Sequence, residues 1–350
     1  MTQYSNINNL SRLKNLGLPP IGDLNELSNQ MRLSSGLIQK LAYLSDEHYK
    51  VYYLKKKSGG QREIAQPSRA MKAVQSWILR KILYRLSSSQ NAKGFEIGES
   101  ILSNATPHIG AHVLLNIDLE DFFNTIPASH VYSIFHSIGY NKTISNIFTR
   151  LCTFKGYLPQ GAPTSPKLSN LACQRLDSRI QGYSGPKGIM YTRYADDITL
   201  SAFNETKIRK AKPIIEEILK DEGFFINDSK TKICGTRKRK EVTGLVISID
   251  GVGIGRRKYR QIRAMIYTML KSDGSKIEQV NGWLAYIKSV DEKNYFRLVK
   301  YILTLEKNFP ENKIFESISS IREKRVDKGN YLWFLFFYCW DIEDSFIWTS

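Results

Sequence analysis

Asp118, Asp196 and Asp197 are the residues of this chain whose type and placing call for chemistry. Asp118 closes the apolar run at residues 112–117, and Asp196 and Asp197 stand side by side between two β-rich runs. Adjacent aspartates repel each other, and burying them near a third is costly unless a cation compensates. Magnesium suits such a set, because it takes hard oxygen ligands and keeps positions open for substrate phosphates. Two such ions can clamp the attacking and leaving oxygens of an in-line phosphoryl displacement. The plainer reading of an isolated Asp-Asp is a turn, which Asp favours by bonding its own backbone.

The elements around these residues decide between the two. Residues 189–194 and 198–202 flank Ala195, Asp196 and Asp197 in a β-hairpin pattern with carboxylates at its tip. The run at 112–117 predicts a strand ending on Asp118, with a helix over 129–140 after it. Upstream, residues 25–50 read as short helices, and 51–54 and 62–65 as two strands joined through Lys55, Lys56, Lys57 and a Ser-Gly-Gly turn. Val74, Trp77, Ile78, Ile82 and Leu86 predict a helix over 70–86. Residues 207–222 read as another helix, and 241–248 with 252–255 as a hairpin turning at Asp250-Gly251.

From Arg256 the chain is helical and basic. Arg256, Arg260 and Arg263 share one face, and Tyr259, Ile262, Ile266 and Met269 form an adjacent apolar one. A helix that packs on one side and tracks phosphates on the other needs this arrangement; a solvated charged face is the plainer alternative.

The whole chain carries 51 Lys plus Arg against 33 Asp plus Glu, a formal net charge of +18, so it needs a polyanionic partner or solvent. Its 42% hydrophobic content excludes a disordered basic tail, and 350 residues suggest two or three packed units. Cys152, Cys173, Cys234 and Cys339 form no C-x-x-C pair, so neither a zinc module nor a disulfide framework is indicated. Residues 1–15 lack the order of a signal peptide, and the longest apolar run, 331–340, is about half of what a membrane span needs. A cytoplasmic protein with no membrane association is expected. Residues 329–350 crowd together Tyr331, Trp333, Phe334, Trp340 and Trp348; such a tail either docks onto the preceding helices or contacts an RNA stem or a partner protein.

Several motifs resemble those of reverse transcriptases. Tyr194-Ala195-Asp196-Asp197 is similar to their Tyr-x-Asp-Asp box, and residues 116–123, Asn-Ile-Asp-Leu-Glu-Asp-Phe-Phe, to their first catalytic motif. Between them, residues 158–166 contain Leu-Pro-Gln-Gly, similar to the loop of the same enzymes. Asn104-Ala105 with His108 resembles the Asn-Ala-x-x-His box of bacterial retron reverse transcriptases, and Val242-Thr243-Gly244 their Val-Thr-Gly box. The resemblance runs from residue 12 to 307 and takes in Gly139-Tyr140-Asn141. It implies an α+β right-hand polymerase fold with fingers, a palm built on an antiparallel sheet, and a helical thumb. The implied division is N-terminal helices and fingers 1–108, palm 109–125, a helical insertion 126–157, palm again 158–255, basic thumb 256–310 and an aromatic extension 311–350.

The resemblance further implies that Asp118, Asp196 and Asp197 bind two Mg2+ ions. Arg62 would meet the triphosphate with one of Lys55 to Lys57, and Phe123 would abut the nucleotide sugar and exclude a ribose 2′-hydroxyl. Gln160 and Gly161 would line the nucleotide pocket. Lys230 would sit near the departing pyrophosphate, with an ordinary surface lysine the equal alternative. Strand alternation implies that one of Phe122 and Phe123 packs in the core. Asn104 and His108 would be structural or contact RNA, and Arg256, Arg260 and Arg263 would track it. The implied function is DNA synthesis templated by a cognate retron non-coding RNA, primed from an RNA 2′-hydroxyl to give branched RNA-linked DNA (msDNA), in anti-phage defence. Deoxynucleoside triphosphates, a separate effector protein and host RNase H would be the other partners. The alternatives are another bacterial reverse transcriptase, of group II intron or diversity-generating type, and a non-catalytic RNA-binding scaffold of a defence complex.

Overall fold

The computed structural model describes residues 10–55, 59–270, 276–311, 315, 317 and 318. Two compact units divide the chain, Met1–Thr243 with Ile247–Gly251, and Gly244–Val246 with Val252–Ser350.

In the first unit, β1 (Tyr49–Lys55) and β2 (Gln61–Pro67) form an antiparallel pair in unbroken register, Tyr49 opposite Pro67 and Lys55 opposite Gln61. Nearly all of β1 is exposed, while β2 buries Ala65 and Pro67. The pair is tied inward by the Ala65 N–H, which donates to the Gln160 carbonyl at 2.9 Å. A separate sheet carries β3 (Val113–Asp118), β4 (Met190–Tyr194), β5 (Asp197–Ala202) and β6 (Lys232–Cys234) in the order β4-β5-β3-β6, every neighbour antiparallel. β3 is central, which explains why Val113, Leu114, Leu115 and Ile117 are all buried rather than alternating. The helix Glu205–Asp221 packs on β3 and β5, and its Ile208, Ile215 and Leu219 join Leu115, Ile117, Ile198 and Leu200 in one apolar core.

Polar termini fix where helices begin. Asp23 accepts from the Glu26 N–H at 2.8 Å at the start of Leu24–Met31, and Asn141 accepts from the Ile144 N–H at 3.0 Å at the start of Lys142–Cys152. The Gly139-Tyr-Asn stretch is thereby accounted for: Tyr140 is buried and its hydroxyl donates to the Pro19 carbonyl at 3.0 Å.

Two expected elements come out differently. The helix over 70–86 is Arg69–Lys81, followed by a 3-10 turn at Leu83–Arg85. Ile82 and Leu83 are fully buried all the same, so the apolar spacing reports burial beyond the point where α-helical geometry stops. The strand over 241–248 is broken into β7 (Lys240–Val242) and β8 (Leu245–Ile247), with β9 (Val252–Gly253) following. Thr243 and Gly244 have φ of 47° and 82°, left-handed values that no strand can continue through. Thr243 is held there by its hydroxyl, which donates to the Ile101 carbonyl at 3.3 Å and accepts from Asn104 Nδ2 at 3.5 Å.

The second unit contains the helices Gly255–Leu270, Ile277–Val290 and Glu292–Asn308, which pack pairwise. Ile262, Ile266 and Met269 bury the expected apolar face of the first, against a core that includes Leu284, Leu298 and Ile302. Asp291 organises the last connection: its carboxylate accepts from the Asn294 N–H at 3.1 Å as helix cap and from the Ile254 N–H at 2.9 Å, and no Cβ would fit at Gly253 beside it. Asp291→Ala removes the cap and orphans the buried Ile254 N–H, an expected loss of about 2–3 kcal/mol. Urea unfolding of the two proteins measures this; a loss under about 0.5 kcal/mol would refute the capping role.

Cys152, Cys173 and Cys234 are buried and free, and burial pushes the Cys152 and Cys173 thiols up to about 12. Among the described residues no helix is long and apolar enough to cross a membrane. Lys56, Lys57, Cys339 and the aromatic cluster from Tyr331 to Trp348 lie outside the described residues.

Candidate active site

A cleft of 1060 Å³ in the first unit is lined by residues from seven separate stretches of chain, among them Arg62, Asp118, Phe123, Gln160, Asp196 and Lys230. Lys55 also lines it.

The sheet brings the aspartates to one end. Asp118 is the last residue of β3 and stands opposite Asp197, the first residue of β5. β4 and β5 are joined by Ala195 and Asp196 alone, since Tyr194 pairs with Asp197, so Asp197 belongs to the strand rather than the turn. Ala195 takes φ 57° to make so tight a reversal. The Asp196 carbonyl accepts from the Leu119 N–H at 3.1 Å, which fastens the turn to the end of β3.

These carboxylates disfavour one another's charge. Burial raises the Asp196 pKa and the charge on Asp118 adds to this, while its own backbone N–H, Lys230 and Arg62 oppose it. Asp197 is pushed up to about 6, by burial first and then by the charges of Asp196 and Asp118. Lys230 offsets part of this: its Nζ donates to both carboxylate oxygens of Asp118, at 3.0 and 2.8 Å. That interaction raises the lysine's own pKa. Its backbone is set by the Asn227 N–H donating to the Asp118 carbonyl at 2.8 Å and its own N–H donating to the Asn227 carbonyl at 3.1 Å. Lys230, though half exposed, is therefore tied to the acidic residues by its ion pair with Asp118.

Among the described residues, no three acidic, His or Cys side chains are gathered closely enough to hold a metal ion as they stand. The donor set nevertheless fits a hard divalent cation, because it offers mutually repelling carboxylate oxygens with one ammonium already drawn onto Asp118.

Phe122 and Phe123 divide as expected, though within a turn rather than a strand. Phe122 is 4% exposed and stacks on Phe224 with ring centroids 5.8 Å apart, while Phe123 is only partly buried at the cleft. Gly161, at φ 132°, makes a close approach to β2: a Cβ there would lie 2.8 Å from the Ala65 carbonyl oxygen. Its neighbour Gln160 lines the cleft.

The box at Asn104 and His108 lies inside the fold, in keeping with the structural one of the two roles expected of it. Both side chains are fully buried. His108 Nδ1 and Nε2 lie 2.7 and 2.8 Å from the hydroxyls of Ser201 and Thr192, clasping β5 and β4, and burial pushes the imidazole down to about 4. Helical spacing favours a pairing of Asn104 with His108, but each finds its partner on another element.

Arg256, Arg260 and Arg263 are exposed in the second unit, with the Arg263 guanidinium 4.3 Å from the ring centroid of Tyr301.

Two features escape sequence reasoning. Phe95 lines the cleft and packs against Phe123, with no periodic signal around it. Arg193 is completely buried beneath the aspartate turn, bonded to Asp177, and its only signal is a charge inside an otherwise apolar strand.

Residues 54–248 match the family Reverse transcriptase (RNA-dependent DNA polymerase). The chain is 51% identical over 306 residues to the Retron Ec86 reverse transcriptase of Escherichia coli, covering 87% of this chain and 96% of that protein. It is 31% identical over 319 residues to the Retron Mx162 reverse transcriptase of Myxococcus xanthus, covering 79% of this chain and 65% of that one. Among solved structures, a foamy viral protease-reverse transcriptase in complex with double-stranded DNA matches with a TM-score of 0.45 and 17% identity, over 78% of this chain and 43% of that chain.

Proposed function

The chain belongs to the retron reverse transcriptases, RNA-directed DNA polymerases of the right-hand fold, and on that footing we propose that it copies a cognate structured RNA from a 2′-hydroxyl of that RNA, leaving branched RNA-linked DNA. A template RNA and deoxynucleoside triphosphates are its substrates, and the family generally uses divalent metal ions. Two Mg2+ ions at Asp118, Asp196 and Asp197, a cytoplasmic setting, a separate effector in anti-phage defence and host RNase H complete the reading. The fingers, palm, thumb and extension follow the boundaries at 108, 125, 157, 255 and 310.

The observation that carries this reading is the single cleft that gathers Arg62, Asp118, Phe123, Gln160, Asp196 and Lys230. The carboxylates would hold the metal, which when bound neutralises triphosphate charge and acidifies the attacking hydroxyl. Arg62 would grip phosphate oxygens through its planar fork, opposite the aspartates. Lys230, whose ammonium already lies on Asp118, would carry a proton within reach of the departing pyrophosphate. Phe123 would press its ring on the nucleotide sugar, where a 2′-hydroxyl has no room. The exposed Arg256, Arg260 and Arg263 would track RNA phosphates.

Co-expression with the genomic flanking region tests the proposal. Nucleic acid bound to the protein is expected to contain DNA that survives RNase and shifts in size on debranching. DNA that does not shift would refute 2′ priming, and bound RNA with no DNA would favour a non-catalytic scaffold.

A further inference from the structure

Phe95 stands at the cleft in a conformation that an aromatic residue adopts only when its surroundings impose it, with φ of 64°. Its neighbours on both sides are pinned. Gly94 lies against the aspartate turn so closely that a Cβ would sit 2.8 Å from the Ala195 nitrogen. Asn170 donates through Nδ2 to the Gly94 carbonyl at 2.7 Å and to Glu96 Oε1 at 2.8 Å. Lys167, itself buried, closes the other side with a 2.6 Å ion pair to Glu96. Asn170 in turn accepts from Arg193 Nη1 at 3.0 Å, and the same nitrogen donates to the Ala195 carbonyl at 3.2 Å. One buried polar network thus fixes both the aspartate turn and the backbone that presents Phe95.

What this rigid mounting presents is a ring beside Phe123, with centroids 6.1 Å apart and planes tilted by 40°. Phe123 thus has two ring neighbours, Phe122 at 5.4 Å and Phe95. A gate against a 2′-hydroxyl works only if its ring cannot swing away, because the discrimination equals the cost of displacing it. We infer that Phe95 is a positioning residue for nucleotide sugar selection, bracing the Phe123 ring. The inference rests on the proposed polymerase reading and on Phe123 as the gate.

The test is steady-state incorporation of a deoxynucleotide and the matching ribonucleotide by wild type, Phe95→Ala, Phe95→Tyr, Phe123→Ala and the Phe95→Ala/Phe123→Ala double variant. Phe95→Ala is expected to lower the deoxy-to-ribo ratio of kcat/KM about tenfold, mainly through a lower KM for the ribonucleotide, with deoxynucleotide kcat nearly unchanged. Phe95→Tyr keeps the ring and is expected to retain the wild-type ratio. In the Phe123→Ala background, loss of Phe95 is expected to change nothing further, since the two act as one unit. A Phe95→Ala ratio within about twofold of wild type, while Phe123→Ala collapses it, overturns the inference and leaves the gate standing. Independent, multiplying effects overturn the bracing. An unchanged ratio in Phe123→Ala instead sinks the gate, and with it the premise. If Phe95→Ala does not fold, Phe95→Leu is measured under the same criteria.

Discussion

Replacing Asp118 or Asp196 by asparagine is expected to cut nucleotide incorporation by a factor on the order of 10³ or more, with the protein no less stably folded. Asparagine keeps the shape of the side chain and removes the anion that would hold a divalent ion there. Folding does not suffer, because these carboxylates oppose one another: Asp118 raises the pKa of Asp196, and both raise that of Asp197. Asp118→Asn also gives up the ion pair with Lys230, but that lysine is half exposed and the pair adds little to stability.

The same repulsion sets a pH signature. Asp197 titrates at about 6 in the folded chain, against 3.8 for an unperturbed aspartate. Between those values the folded state holds a proton that the unfolded state has released, so the site's contribution to stability falls as pH rises through the window and stays low above it. Without added metal, the stability difference between wild type and Asp197→Asn is expected to narrow on acidification from about pH 7 to about pH 4. Added Mg2+ should raise the wild-type melting temperature at about pH 8 more than that of Asp197→Asn. Equal magnesium shifts in both, or a pH-independent difference, would remove the repelling carboxylates from the account.

How much of this is legible in the sequence depends on the range of the interaction concerned. The β3 strand and the hairpin at Asp196 are written in local order: an apolar run ending in Asp118, and two β-rich runs around Ala195, Asp196 and Asp197, although the pairing of Asp197 with Tyr194 is not legible there. The thumb-like helix is legible for the same reason, since Ile262, Ile266 and Met269 recur at helical spacing and are buried. Bonds between distant residues carry no such pattern. His108 meets Ser201 and Thr192 across 93 and 84 residues, so periodicity can suggest only a partner four residues away. Thr243 looks like an ordinary strand residue, and its left-handed φ comes from bonds to Asn104 and Ile101, 139 and 142 residues upstream. Phe95 is silent because an αL aromatic has no sequence signature apart from the elements that force it.

Arg193 supplies the largest expected loss of stability. Its Nε and Nη2 donate to the two carboxylate oxygens of Asp177 at 2.8 and 2.7 Å, both side chains are completely buried, and the Tyr191 hydroxyl donates to the same carboxylate at 2.7 Å. Arg193→Met leaves the Asp177 charge buried without its counterion, which should cost about 3–5 kcal/mol in urea unfolding. Adding Asp177→Asn removes the orphaned charge while keeping an acceptor for the Tyr191 hydroxyl, so the double variant should recover most of that loss. Activity should not recover with it. The guanidinium ties the Ala195 carbonyl to Asn170, and without that tie the turn carrying Asp196 is held by its Leu119 bond to the end of β3 but loses its anchor on the other side. Stability restored together with kcat would mean that the buried pair serves folding alone; stability restored with kcat still depressed identifies Arg193 as the anchor that sets the aspartate turn.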